Sequence, residues 1–217
     1  MADFTLVIGN KNYSSWSLRA WLWMKHLQLD FDEILIQLYQ QGMEENLSAY
    51  FSGGKVPLLI HGDLQVWDSL AILEYLASLH PDKSGTADIP ARAVMRSLCA
   101  EMHSSFTSLR QELPMNCRRS PHALDISPNC RADIKRIEAL WLHAGSYSDR
   151  KDQWLFGSFS MADAMYAPVV LRLDRYAVEV SDASRAYIDR LLAHPAMIEW
   201  VAAGRAEDRV IGDEERP

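Results

Sequence analysis

The sequence changes its grammar once, near Pro81, and that change limits the fold more than any other feature. Before it, short apolar runs of strand length alternate with segments of helical period. "FTLVIG" reads as a strand, Ser15 to Leu27 as a helix, and "FDEILIQL" as a second strand. A short helix is expected around Glu44 to Tyr50. "KVPLLIH" and "LQVW" follow as strands, separated by Gly62-Asp63, a hairpin turn signal. "DSLAILEYLASLH" then opens a helix at Asp68. The order β-α-β-(α)-β-β-α describes an α/β unit on a mixed sheet. "PDKSGTAD" reads as a linker, and every later periodic segment is helical. The expected organisation is an α/β domain over 1–81, a linker over 82–89 and an all-helical domain over 90–217.

In the second half, Met95, Cys99, Met102, Phe106, Leu109 and Leu113 share one face, so Pro90 to Leu113 reads as one helix. Ser127 is a candidate cap, with Pro128 at the first helical position. Ser160 and Asp163 have capping-box spacing, and Pro168 should kink or shorten the helix they open. Shorter helices are expected near Ser184–Ala193 and Pro195–Ala203, and the charged tail after Gly204 reads as solvated.

A chain of 217 residues, 48% hydrophobic and 24% charged, can bury a substantial core in one or two domains. Its formal charge of −7 argues against a nucleic-acid partner. No apolar run reaches membrane-spanning length, and no basic region precedes the first apolar run, so no membrane partner and no secretory signal are expected. Cys99, Cys117 and Cys130 are too few and too irregularly spaced for a disulfide framework. A reduced, cytoplasmic protein is the simplest reading. No histidine or cysteine pair has metal-ligand spacing, so no metal is expected. "SGGKV" and "GSFSM" each lack residues that a phosphate loop or a nucleophile elbow needs.

Three other stretches carry chemistry. Tyr13, Ser14, Ser15 and Ser17 crowd the join between the first strand and helix, where only one residue can be the N-cap. Pro57 forces Val56 toward an extended conformation whose backbone an extended peptide could pair with, although an ordinary edge-strand proline reads the same way. Asp68 and Ser69 open a helix whose N–H groups and hydroxyl suit a carboxylate, although simple capping by Asp68 reads the same way.

Together, in this order and spacing, the three stretches resemble the cytosolic glutathione transferases over nearly the whole chain. "SSWSLR" resembles the zeta-type loop "SSCSxR", with Trp16 in place of cysteine, and "DSLAILEYL" resembles "QSLAIIEYL". The resemblance implies an α/β thioredoxin-like N-terminal domain followed by an all-α helical C-terminal domain. It also implies a cis Val56–Pro57 bond, glutathione as co-substrate, and a homodimer. Ser14 would stand beside the glutathione sulfur, with Ser15 the second candidate. Val56 and Pro57 would meet the cysteinyl part, Asp68 and Ser69 the γ-glutamyl end, and Lys55 the glycyl carboxylate. With no thiol in the loop, exchange through an enzyme disulfide is not expected. The second substrate would lie between the halves, near Tyr13, His103, Phe106, Arg110 and Met115. The expected activity is conjugation of, or addition to, small electrophiles that are mainly apolar. Glutathione-dependent cis–trans isomerisation and a non-catalytic glutathione-binding module are the alternatives.

Overall fold

A computed structural model of the chain describes residues 3–216 apart from 41, 49, 51, 52, 84 and 148–153; of residues 44 and 46 it describes the backbone only. Strand β1 (Phe4–Gly9) lies inside a sheet of order β2-β1-β3-β4. β2 (Phe31–Ile36) runs parallel to β1, β3 (Leu58–His61) antiparallel to it, and β4 (Leu64–Trp67) antiparallel to β3. A parallel pair needs a crossover, and α1 (Ser15–His26) supplies it. Alternation along the strands sorts side chains by face. Leu6, Ile8 and Leu59 join the main core, while Val7 and Leu58 meet Ile36 and Leu47 of α2 (Met43–Ser48) on the other face. α3 (Ser69–Leu79) follows β4 directly. This is the expected mixed sheet.

The helical half comprises α4 (Ile89–Ser104), α5 (Thr107–Glu112), α6 (Pro128–Gly145), α7 (Met161–Arg175), α8 (Asp182–Leu192) and α9 (Pro195–Ala206). At its centre α7 is buried at every position from Met161 to Leu173, as a helix apolar all round must be. Its start is a capping box. The buried Asp163 carboxylate accepts from the backbone N–H of Ser160 (2.8 Å) and Leu155 (3.2 Å), and from the hydroxyls of Ser160 (2.9 Å) and Tyr187 (3.1 Å). Burial pushes the Asp163 carboxyl up to about 6, against the downward pull of those bonds.

Two expectations need correction, and one, at Pro168, is narrowed. The single helix over Pro90 to Leu113 is two, broken at Ser105-Phe106, where Phe106 takes a left-handed φ of 64°. The Arg110 guanidinium turns back on the end of α4 and donates to the carbonyls of Met102, His103 and Ser105, while Asp133 accepts from Leu109 N–H in the first turn of α5. Pro168 does not shorten α7, which continues to Arg175. The tail is not left to solvent: Glu207 accepts from the backbone N–H of Lys11 (2.7 Å) and Asn12 (3.1 Å).

Helix α1 joins the halves. It packs on α3 at one side and on α7 and α9 at others. Trp21 meets Trp200 of α9 with ring centroids 5.2 Å apart, and Arg19 Nε donates to the Met165 carbonyl of α7 at 3.1 Å.

Asp163→Ala would leave four buried donors without their acceptor. It is expected to cost about 3 kcal/mol or more in urea unfolding, with Asp163→Asn, which keeps one acceptor oxygen, costing less.

Candidate functional site

The strand register brings the three stretches together. Leu58 pairs with Val7 of β1 on one side and with Trp67 of β4 on the other. Val56–Pro57, just ahead of Leu58, therefore lies between the end of β1 and Asp68. The Val56–Pro57 bond is cis, as the resemblance implied. Pro57 is buried, Val56 half-buried and Lys55 exposed.

Ser14 is the N-cap of α1, with its hydroxyl accepting from Ser17 N–H at 3.3 Å. The hydroxyls of Ser14 and Ser17 are 2.7 Å apart, and Ser17 Oγ also accepts the N–H of Gly9 at 3.0 Å. Each hydroxyl proton rotates, so either serine can donate across that contact. When Ser17 donates, a chain runs from Gly9 N–H through Ser17 to Ser14 and leaves the Ser14 proton for a ligand; such chains strengthen each member. The sequence assigned Ser17 no separate role. Its part was legible only in the excess of hydroxyls in the loop. Ser14 and Ser15 are 5% and 7% exposed, so both hydroxyls are buried rather than in open solvent.

Asp68 adopts a left-handed φ of 75°, a conformation that costs a non-glycine residue about 1–3 kcal/mol. One carboxylate oxygen accepts from Leu70 N–H (2.9 Å) and Ala71 N–H (3.3 Å), so the capping reading holds. The other lies 3.2 Å from His103 Nε2 on α4. The hydroxyl of Ser69, a residue 1% exposed, has no hydrogen-bond partner among the described residues.

Trp16 ties the loop to the helical half. Its ring lies 4.4 Å from the Arg19 guanidinium carbon and 4.9 Å from that of Arg110, and meets the His103 ring edge-on at 5.2 Å. Burial, reinforced by Arg110 and Arg172, pulls the Arg19 pKa well down, and its two terminal nitrogens have no acceptor among the described residues. The side chains assigned to a second substrate do not form one surface. His103 faces Asp68 and Trp16, whereas Phe106 and Met115 are 5% and 1% exposed and belong to the core. Arg110 is engaged by the end of α4. Tyr13 donates its hydroxyl proton to Glu215 (2.5 Å) and accepts from Arg118 (2.6 Å) and Ile211 N–H (3.2 Å).

No thiol competes for the site: Cys99, Cys117 and Cys130 are buried, and burial pushes Cys117 up to about 12 and Cys99 higher. Among the described residues, no group of three or more His, Cys, Asp or Glu could hold a metal ion.

Residues 13–79 match the family model of the glutathione S-transferase N-terminal domain, and residues 93–203 that of the C-terminal domain. Glutathione S-transferase T2 of Arabidopsis thaliana is 30% identical over 139 residues, which are 60% of this chain but 22% of that protein, so the chain spans less than a quarter of this relative. A glutathione transferase homologue from Burkholderia, solved with bound glutathione, superposes with a TM-score of 0.67 at 25% identity, over 94% of this chain and 99% of that one. The omega 3C glutathione transferase of Trametes versicolor gives 0.69 at 17% identity, over 96% and 91%, a likeness of fold alone.

Ser17→Ala would strip a buried N–H of its acceptor. A loss of about 1–3 kcal/mol is expected in urea unfolding, with an unchanged midpoint contradicting the role of Ser17.

Proposed function

The chain belongs to the glutathione S-transferase family, and from that premise we propose that it binds glutathione and activates its thiol for conjugation or addition to small, mainly apolar electrophiles. What carries the reading is the meeting of Ser14, the cis Val56–Pro57 bond and Asp68–Ser69 at one end of the sheet. Val56 would pair its backbone with the cysteinyl unit of glutathione. The α3 N-terminus and the unpartnered Ser69 hydroxyl would take the γ-glutamyl carboxylate, Asp68 its ammonium, and Lys55 the glycyl carboxylate. We also propose that it acts as a homodimer in the cytoplasm.

The reactive step turns on one proton. A thiol with a pKa near 8.5 is only a few per cent thiolate at neutral pH. A hydroxyl donated by Ser14, with the positive end of α1 behind it, favours the anion. Lowering the pKa by about two units takes roughly 2.7 kcal/mol and leaves most of the bound thiol ionised. The thiolate then attacks the electrophile, its sulfur lone pair forming the new bond while the leaving group departs or a conjugated bond takes up the pair. Ser15 is the second candidate for the donor. A pure binding module has no need of hydroxyls at the sulfur.

Isomerisation of a diacid is the weaker reading. It asks for free cations beside the sulfur, yet Arg110 is spent on the end of α4 and Arg19 lies fully buried behind Trp16. Beside the loop, the Trp16 ring meets His103 edge-on, an aromatic contact that favours an apolar partner over a diacid.

Ser69→Ala is expected to weaken glutathione by about 1.5–3 kcal/mol in calorimetry, the range for hydrogen bonds to a charged group; unchanged affinity would remove Ser69 from the site. With glutathione in substoichiometric amount, a maleyl diketo acid should turn over slowly while a simple aryl halide consumes glutathione. Rapid turnover of the diketo acid would instead favour the isomerase.

A further inference from the structure

The loop that delivers Ser14 is held from behind by parts of the chain far away in sequence. Asn10 closes the turn, its carbonyl accepting from Tyr13 N–H (3.1 Å) and Ser14 N–H (2.8 Å). On the outer side of that turn, Glu207 accepts both Lys11 N–H and Asn12 N–H. Glu215 accepts the Tyr13 hydroxyl on one oxygen and Asn116 Nδ2 on the other at 2.8 Å. Arg118 completes the ring of bonds: it donates to the carbonyls of Glu207 (2.5 Å) and Arg209 (2.7 Å) and to the Tyr13 hydroxyl. Where α9 crosses the loop, a Cβ at position 204 would come within 3.0 Å of the Asn12 backbone nitrogen, so only glycine allows this approach without displacement.

We propose that residues 204–215 form a strap that fixes the register of the serine loop, with Glu207 and Glu215 as positioning residues for Ser14. The inference rests on the reading of Ser14 as the thiol's hydrogen-bond donor. It also assigns Tyr13: its hydroxyl is the buckle of the strap rather than a group offered to substrate. The physical basis is the short lever from Tyr13 to Ser14. These are neighbouring residues, and a donor misplaced by a fraction of an ångström loses much of its bond to sulfur.

The test reads the apparent pKa of glutathione's thiol, bound to the unaltered chain and its variants, from thiolate absorbance. Glu207→Ala and Glu215→Ala should each raise that pKa by about half a unit to one unit, without changing glutathione affinity at low pH, where the thiol is neutral. In a Ser14→Ala background neither should raise it further, because the effect travels through Ser14. Glu215→Gln keeps an oxygen for the Tyr13 hydroxyl and should recover most of the shift. A strap that merely stabilised the fold would move the unfolding midpoint and leave the thiol pKa alone. If Ser14→Ala raises the pKa and the glutamate variants do not, the strap is overturned and the thiol-activation reading stands. Equal rises with and without Ser14 also overturn it. If Ser14→Ala has no effect, the reading of Ser14 falls, and the strap with it.

Discussion

Helix α1 is enclosed by α3, α7 and α9, and the rest of the molecule is arranged around that enclosure. From Ser17 to Met24 every residue of α1 is buried, including Trp21, Trp23 and the charged Arg19. Each large apolar side chain taken from water contributes about 1.5–3 kcal/mol, so the helix cannot shift without losing contacts in both halves of the chain. The point of this rigidity lies at the N-terminus. The first turn of α1 carries Ser14 and Ser15 at the positive end of the helix dipole, and a fixed helix gives them a fixed direction.

Arg19, Arg110 and Arg172 donate to main-chain carbonyls of the helical half, and burial draws down the pKa of all three. Trp16, lying against Arg19 and Arg110, shares its ring face with both guanidiniums. A cysteine there would give a nucleophile; the indole gives packing and a path of contacts to His103 and Asp68. The chemistry thus passes to the thiol of the co-substrate.

Much of this was legible in the sequence because it depends on neighbours along the chain. Apolar runs of strand length marked β1 and β4 to the residue, and the capping chemistry of Asp68, Ser127 and Ser160 marked three helix starts. The break between α4 and α5 was not legible, since the apolar spacing runs through Ser105-Phe106 unbroken; what breaks it is Arg110 turning back on α4. The tail looked solvated because its charges have no local partners, yet the partners of Glu207 lie 196 and 195 positions away. The loop's own residues showed only an excess of hydroxyls, and the resemblance singled out Ser14 among them. The contacts that orient it, through Ser17 to Gly9 and through Tyr13 to the tail, are properties of the folded chain.

The account stands on one quantity, the ionisation of glutathione's thiol on the unaltered protein. An ultraviolet titration of the bound tripeptide measures it. The geometry at the start of α1 predicts a pKa about two units below the free value, with thiolate predominant at neutral pH. Glutathione that binds and keeps its free-solution pKa would contradict the account, leaving a binding fold without thiol activation.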